Sequence, residues 1–217
     1  MNKSPRFEAL ILLAGKNKVL ADIGCDHGIV STYIAKNKLA DKVFACDVSY
    51  PSLEKAKNLA KKMSLDNIEF ILGDGFSNLK QKPDTAIIAG MGADVIVKML
   101  SHPFAKTHLV LQPMKDAELL IKELYRLGFG IDKEIIVKQD RRFYQVFSAY
   151  YGLNKPYSLE NIEKTEIAIE FLEHEKKILL RAKKGAESSK NQDAKNKVLE
   201  IEAQINKIDG VLNNAYS

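Results

Sequence analysis

The segment ADIGCDHG, Ala21 to Gly28, gathers residue types suited to holding a small charged molecule. Gly24 and Gly28 let the backbone turn tightly and approach a ligand, and the first amides of a helix starting after them attract an anion. A dinucleotide fingerprint has its second glycine where this chain carries Asp26, followed by His27, and a carboxylate there repels a pyrophosphate. The same carboxylate, with Asp22 ahead of it in the segment, suits an ammonium group and complements a sulfonium. Carboxylate, ammonium and sulfonium occur together in S-adenosylmethionine, which makes Asp22, Gly24, Asp26, His27 and Gly28 candidate cofactor contacts. His27 reads equally as a ligand contact and as a bracket of the turn.

Three further positions fall where such a cofactor requires them. Asp47, followed by Val48, closes a second apolar run, where an acidic side chain accepts both ribose hydroxyls. The alternative is that Asp47 caps the next helix. The GDG of Gly73, Asp74 and Gly75 follows a third run: Asp74 is a candidate acceptor for the adenine amino group, although an Asp-Gly turn is commonplace. The GMG of Gly90, Met91 and Gly92 ends a fourth run, with Met91 read as an exposed residue between two glycines. Asp26 is also the candidate catalytic group, placed to steer or deprotonate an amino group on an acceptor.

The elements that must position these residues follow a regular rhythm. Apolar runs at Val19–Gly24, Lys42–Asp47, Ile68–Gly73, Thr85–Gly90 and His108–Pro113 read as parallel strands buried on both faces. Helices are predicted between them at Ile29–Asn37, Ser52–Met63, Ala93–Leu100 and Asp116–Leu127, with an earlier one from Ser4 to Gly15. Ile131–Lys138 and Phe143–Tyr151, separated by QDRR, leave no room for a helix and predict an antiparallel hairpin at a sheet edge. The expected fold is α/β and Rossmann-like, in the mostly parallel variant found in class I methyltransferases. Residues 1–157 would form this domain and 158–217 a helical one. In the latter, Val198, Ile201, Ile205, Ile208 and Leu212 step by three and four as in a coiled coil. Ala168, Leu172, Leu179, Ala182 and Ala186 are the expected facing seam, interrupted by Glu175, and GAESSKNQD is the expected break.

Composition narrows the partners. Two cysteines, Cys25 and Cys46, in 217 residues make neither a disulfide framework nor a zinc site, and suit a reducing, cytoplasmic setting. No metal is required, and no run has the length of a bilayer span. The net charge of +5 favours a polyanion: residues 1–157 hold 23 Lys and Arg against 17 Asp and Glu, whereas 158–217 hold 10 against 11. Candidate phosphate contacts are Lys55, Lys57, Lys61 and Lys62 on one helix and Arg141 and Arg142 in the hairpin turn. Tyr144 and Tyr150 are candidates for base stacking or for the core, and a monomer or weak dimer is expected.

ADIGCDHG, LGDGF (Leu72–Phe76), IIAGMGA (Ile87–Ala93) and LVLQP (Leu109–Pro113), in this order and before a helical tail, resemble the bacterial TrmK family of tRNA (adenine-22, N1)-methyltransferases. The resemblance implies S-adenosylmethionine as cofactor, tRNA as partner, methyl transfer to N1 of an adenine, and a coiled-coil domain assisting tRNA binding. Ile29, Val30, Ser31 and Met114 depart from the family pattern, which has Tyr-Leu-Pro after the Asp-His pair and Asn after Leu-Gln-Pro. Two other readings stay open: an NAD-dependent Rossmann oxidoreductase, against which Asp26 and the terminal hairpin argue, and a catalytically silent RNA-binding module, against which the intact glycine loops argue.

Overall fold

Side chains that alternate across a strand must find two apolar layers, and the central runs of this chain do so. In the computed structural model, which describes residues 4–188 and 192–215, β1 (Asn17–Ile23), β2 (Ala40–Asp47), β3 (Ile68–Leu72), β4 (Thr85–Met91) and β5 (His108–Pro113) pair in parallel. Leu20, Val43, Ile87 and Val110 point to one face, and their neighbours Ala21, Phe44, Ile88 and Leu111 to the other. Helices α1 (Pro5–Ala14) and α2 (Ile29–Lys36) cover the first face through Leu10, Ala14, Ile34 and Ala35. Between β2 and β3 runs α3 (Tyr50–Lys62), which buries Leu53 against Ala45. The second face is covered by α4 (Ala93–Met99) and α5 (Ala117–Arg126) through Ile96, Leu120 and Leu124. Phe44, Phe76, Phe129 and Phe147 are fully buried, each contributing about 1.5–3 kcal/mol by leaving water.

The sheet is completed by β6 (Phe129–Gln139) and β7 (Arg142–Tyr151), in the order β3-β2-β1-β4-β5-β7-β6, with β7 antiparallel to both neighbours. The hairpin turn is tighter than the four residues QDRR: Gln139 pairs with Arg142, leaving Asp140 and Arg141 to turn. Both have positive φ, 50° and 64°, as in a type I′ turn, whose twist matches that of the strands. Because β7 runs against β5, with Leu111 opposite Phe147 and His108 opposite Tyr150, the hairpin tip lies at the carboxyl end of the parallel strands. α3 starts two residues earlier than its pattern suggests. The Ser49 hydroxyl accepts from the Ser52 amide and Pro51 fits the first turn, where its missing N–H is no loss.

The chain divides into two compact units, Met1–Tyr157 and Ser158–Ser217. In the second, α6 (Glu166–Glu187) and α7 (Gln192–Ala215) form a helical pair; of the segment expected to break them, residues 189–191 lie outside the described residues. Lys176 bridges to Asp209, and Lys183 to Glu202 at 2.7 Å. Seven residues forward on α6 thus means seven back on α7, so the two helices are antiparallel. Ile201, Ile205, Ile208 and Leu212 are buried with Ala168 and Leu172. Ala182 is exposed, contrary to the expected seam, and the adjacent Lys183 is half-buried, its ammonium reaching Glu202 and Glu187. No helix among the described residues is long and apolar enough to cross a membrane.

Candidate active site

The bends that end β1 to β5 touch one another in a continuous line along one rim of the sheet. The Gly73 amide donates to the Asp47 carbonyl at 3.0 Å. The Gly24 and Cys25 amides donate to the Cys46 carbonyl at 2.8 and 2.9 Å, and the Asp26 amide to Asp47 Oδ2 at 2.8 Å. Met91 lies against Gly24, and the Met114 amide donates to the Met91 carbonyl at 2.8 Å. Between β1 and β4 the strand order reverses, the place where open α/β sheets form a crevice. A cleft of about 450 Å3 opens there, lined from the first bend by Asp22, Gly24, Asp26 and His27 and from the others by Gly90 and Gln112.

Asp22 sits beneath the cleft, only 5% exposed, and its Oδ2 accepts from the Ser31 amide at 3.1 Å and the Ser31 hydroxyl at 2.5 Å. The carboxylate thereby satisfies an amide in the first turn of α2, leaving those of Ile29 and Val30 beside the cleft. Burial pushes the Asp22 carboxyl up to about 6, opposed by the Ser31 hydrogen bonds and aided by the charge of Asp47. Asp26 is exposed and has positive φ, 48°; its Oδ1 accepts from the Ser52 hydroxyl at 3.3 Å and lies 3.5 Å from His27 Nε2. That nitrogen is 3.2 Å from Lys55 Nζ. Asp47 engages both oxygens, Oδ2 with the Asp26 amide and Oδ1 with the Ser49 amide at 2.8 Å. It therefore organises the loops as well as facing the rim, and each oxygen keeps acceptor capacity for a hydroxyl.

Gly24, with φ +76°, is favoured by its left-handed backbone, and the space a Cβ would take is occupied by Met91 Cε, the end of a flexible side chain. Gly90, with φ +79°, occupies an irregularity in the β4–β5 pairing, and a Cβ there would project into open space beside the cleft. Other assignments shift. Gly28 is buried and outside the cleft lining, and the space a Cβ would take is filled by Ala56 of α3, so it serves helix packing. Met91 is half-buried and packs on the core rather than standing exposed. Gly92 caps α4. Exposed Val48 (69%) and Asp74, with half-buried Gly73 and buried Gly75, lie farther along the rim, outside the cleft itself.

The basic candidates do not form one patch. Lys55 and Lys62 lie seven residues apart on one side of α3 and Lys57 and Lys61 on another, and Lys57 is bound to Glu54 at 2.7 Å. Arg141 and Arg142 are exposed at the hairpin tip. Tyr150 stacks on His108 at the far end of β5, 4.3 Å between centroids, while Tyr144 is near the tip. Burial pushes the Cys46 thiol up to about 12 and that of Cys25 higher still, which removes both as nucleophiles near neutral pH.

Sequence reasoning assigned no role to one wall of the cleft: Ser4, Arg6, Phe7 and Leu10 of α1 and its cap, Tyr33 of α2, and Gln112 at the end of β5. Gln112 is 2% exposed and donates to the Pro113 carbonyl at 2.7 Å. A buried glutamine in the quoted LVLQP run is a signal that a strand-end reading could have used. Arg6 gives none, because its partners are remote in the chain.

A family model described as a methyltransferase domain matches residues 3–147. The chain is 30% identical over 175 residues to a putative tRNA methyltransferase of Mycoplasma pneumoniae, covering 79% of this chain and 75% of that protein. It is 29% identical over 155 residues to the tRNA (adenine(22)-N(1))-methyltransferase of Bacillus subtilis, covering 69% and 65%. In fold it is similar to the structure of M. capricolum TrmK in complex with S-adenosyl-homocysteine, with TM-score 0.76 at 23% identity over 97% of each chain.

Proposed function

The chain belongs to the methyltransferase-domain family, in its TrmK branch, and from that premise we propose that it methylates N1 of an adenine, adenine-22, in tRNA with S-adenosylmethionine as donor. The observation that carries this reading is the unbroken line of contacts joining the bends after β1 to β5, with the cleft at its centre. A nicotinamide enzyme would have to place a pyrophosphate beside the carboxylate of Asp26, and the family assignment removes that alternative.

The residues present fit the cofactor. The Ile29 and Val30 amides offer donors to a carboxylate, and Asp22 and Asp26 offer acceptors to an ammonium group. Asp47 retains capacity for ribose hydroxyls, exposed Val48 offers an apolar surface to a purine, and Asp74 an acceptor for its amino group. Gly73 and Gly75 shape that last bend, and Gly90 keeps side-chain bulk away from the cleft. When bound, S-adenosylmethionine supplies a methyl group on a sulfonium, which the adenine N1 lone pair takes as the carbon–sulfur bond breaks. N1 is unprotonated at neutral pH, so the protein need not first deprotonate it. Its task is orientation: the base must leave its pairing partner and be held in line. Phe7, Leu10, Ile29, Val30 and Tyr33 give the cleft an apolar and aromatic wall suited to a base. Asp26, exposed and at the cleft, is placed to steer the amino group of that base, and its carboxylate complements the positive charge that methylation leaves on the ring. Residues 1–157 are the catalytic domain, acting in the cytoplasm, and 158–217 a helical domain assisting tRNA binding.

Incubating the protein with unmodified tRNA and methyl-labelled S-adenosylmethionine, then resolving the nucleosides by mass spectrometry, tests the proposal. Labelled 1-methyladenosine is the expected product, and Asp26→Asn should lower its rate by about 100-fold. Label in another nucleoside, or none in RNA, would contradict it.

A further inference from the structure

The wall formed by α1 holds a cation with no assigned task. Arg6 lines the cleft, and its guanidinium is held by three elements remote in sequence. Nε donates to Gln139 Oε1 at 3.1 Å, Nη1 to Met114 Sδ at 3.5 Å, and the group lies 4.5 Å from the centroid of the Tyr144 ring. All three partners are uncharged, and no carboxylate pairs with Arg6 among the described residues. A half-buried guanidinium fixed by neutral groups keeps its full charge and part of its planar fork for an anion. Gln139, which orients it, is also the ladder partner of Arg142 at the hairpin tip, with Arg141 beside it. The tip lies at the same rim as the cleft. Three arginines are thus grouped at one side of the mouth, Arg6 nearest the cleft and most constrained.

We propose that Arg6 clamps the backbone phosphate adjoining the nucleotide whose base enters the cleft, with Gln139, Tyr144 and Met114 holding its fork in position. The proposal rests on the RNA-acceptor reading above and adds to it the residue that registers the strand. A phosphate suits Arg6 better than the base does. The apolar wall supplies the surface for a ring, whereas methylation at N1 leaves the base cationic, and a guanidinium in contact with it would oppose the product.

Initial rates with tRNA over a series of salt concentrations, together with calorimetry of S-adenosylmethionine, separate the possibilities. For Arg6→Gln the KM for tRNA should rise about tenfold, and the slope of log kcat/KM against log salt should flatten by about one, the signature of one lost phosphate contact. Cofactor affinity should stay within twofold of wild type. Arg6→Lys, which keeps the charge without the fork, should keep the salt slope and show an intermediate KM. A purely structural role would change melting temperature without moving that slope. If the wild-type protein methylates tRNA and Arg6→Gln retains its KM and salt slope, the clamp is wrong and the acceptor reading stands. If the wild-type protein methylates no RNA, both fall together.

Discussion

Asp47 carries two loads, and separating them is the sharpest test at the scale of single residues. Its carboxylate ties down the Asp26 and Ser49 amides and faces the rim where a ribose would lie. Asp47→Ala should weaken S-adenosylmethionine binding at least tenfold by calorimetry and lower stability by about 1–2 kcal/mol through the two lost hydrogen bonds. An unchanged affinity would mean that the pocket is misassigned. Asp22 offers a pH signature. Its folded pKa, about 6, lies above the ordinary carboxylate value of 3.8, so the folded state binds this proton more tightly. The resulting stabilisation is complete below pH 3.8 and lost as pH rises through 6, on the order of 3 kcal/mol for a site this buried. Urea unfolding between pH 4.5 and about 7.5 should show that decline in wild type and a flatter profile in Asp22→Asn; equal slopes would contradict the assigned burial effect. Asp22, Asp26 and Asp47 could be singled out from the sequence because carboxylates at the ends of apolar strands are chemically distinctive. Arg6 was not, because its meaning depends on Gln139, Tyr144 and Met114, which only tertiary packing brings to it.

At the scale of elements, two glycines in left-handed conformations should behave differently. Gly28→Ala combines backbone strain with a collision against Ala56 of α3 and should cost about 2–3 kcal/mol, whereas Gly90→Ala, facing open space, should cost about 1 kcal/mol from strain alone. Denaturant unfolding of both variants checks this, and equal losses would contradict the packing described. The parallel strands were readable to within two residues, since burial on both faces requires continuous apolar runs. The start of α3 was displaced because Tyr50 and Pro51 look unlike helix interior, although a capped first turn accepts both. Ala182 was misplaced in the α6 seam because small residues mark a stripe weakly. The stem of Lys183 packs there while its ammonium finds Glu202.

At the scale of the whole molecule, the order β3-β2-β1-β4-β5-β7-β6 turns separate motifs into one site. The chain leaves β1 toward β2 and β3, then returns on the other side to β4 and β5, so bends 20 or more residues apart come into contact. Sequence patterns indicated which bends mattered, whereas the α1 wall and the grouping of Arg6 with the hairpin tip needed the assembled sheet. A structure with S-adenosyl-homocysteine bound would test this convergence most directly. The amino-acid end is expected at Asp22 and the Ile29 and Val30 amides, the ribose on Asp47 and the adenine between Val48 and Asp74, leaving the α1 side of the cleft open. A ligand seated elsewhere, or one that leaves Asp47 and Asp74 untouched, would contradict it.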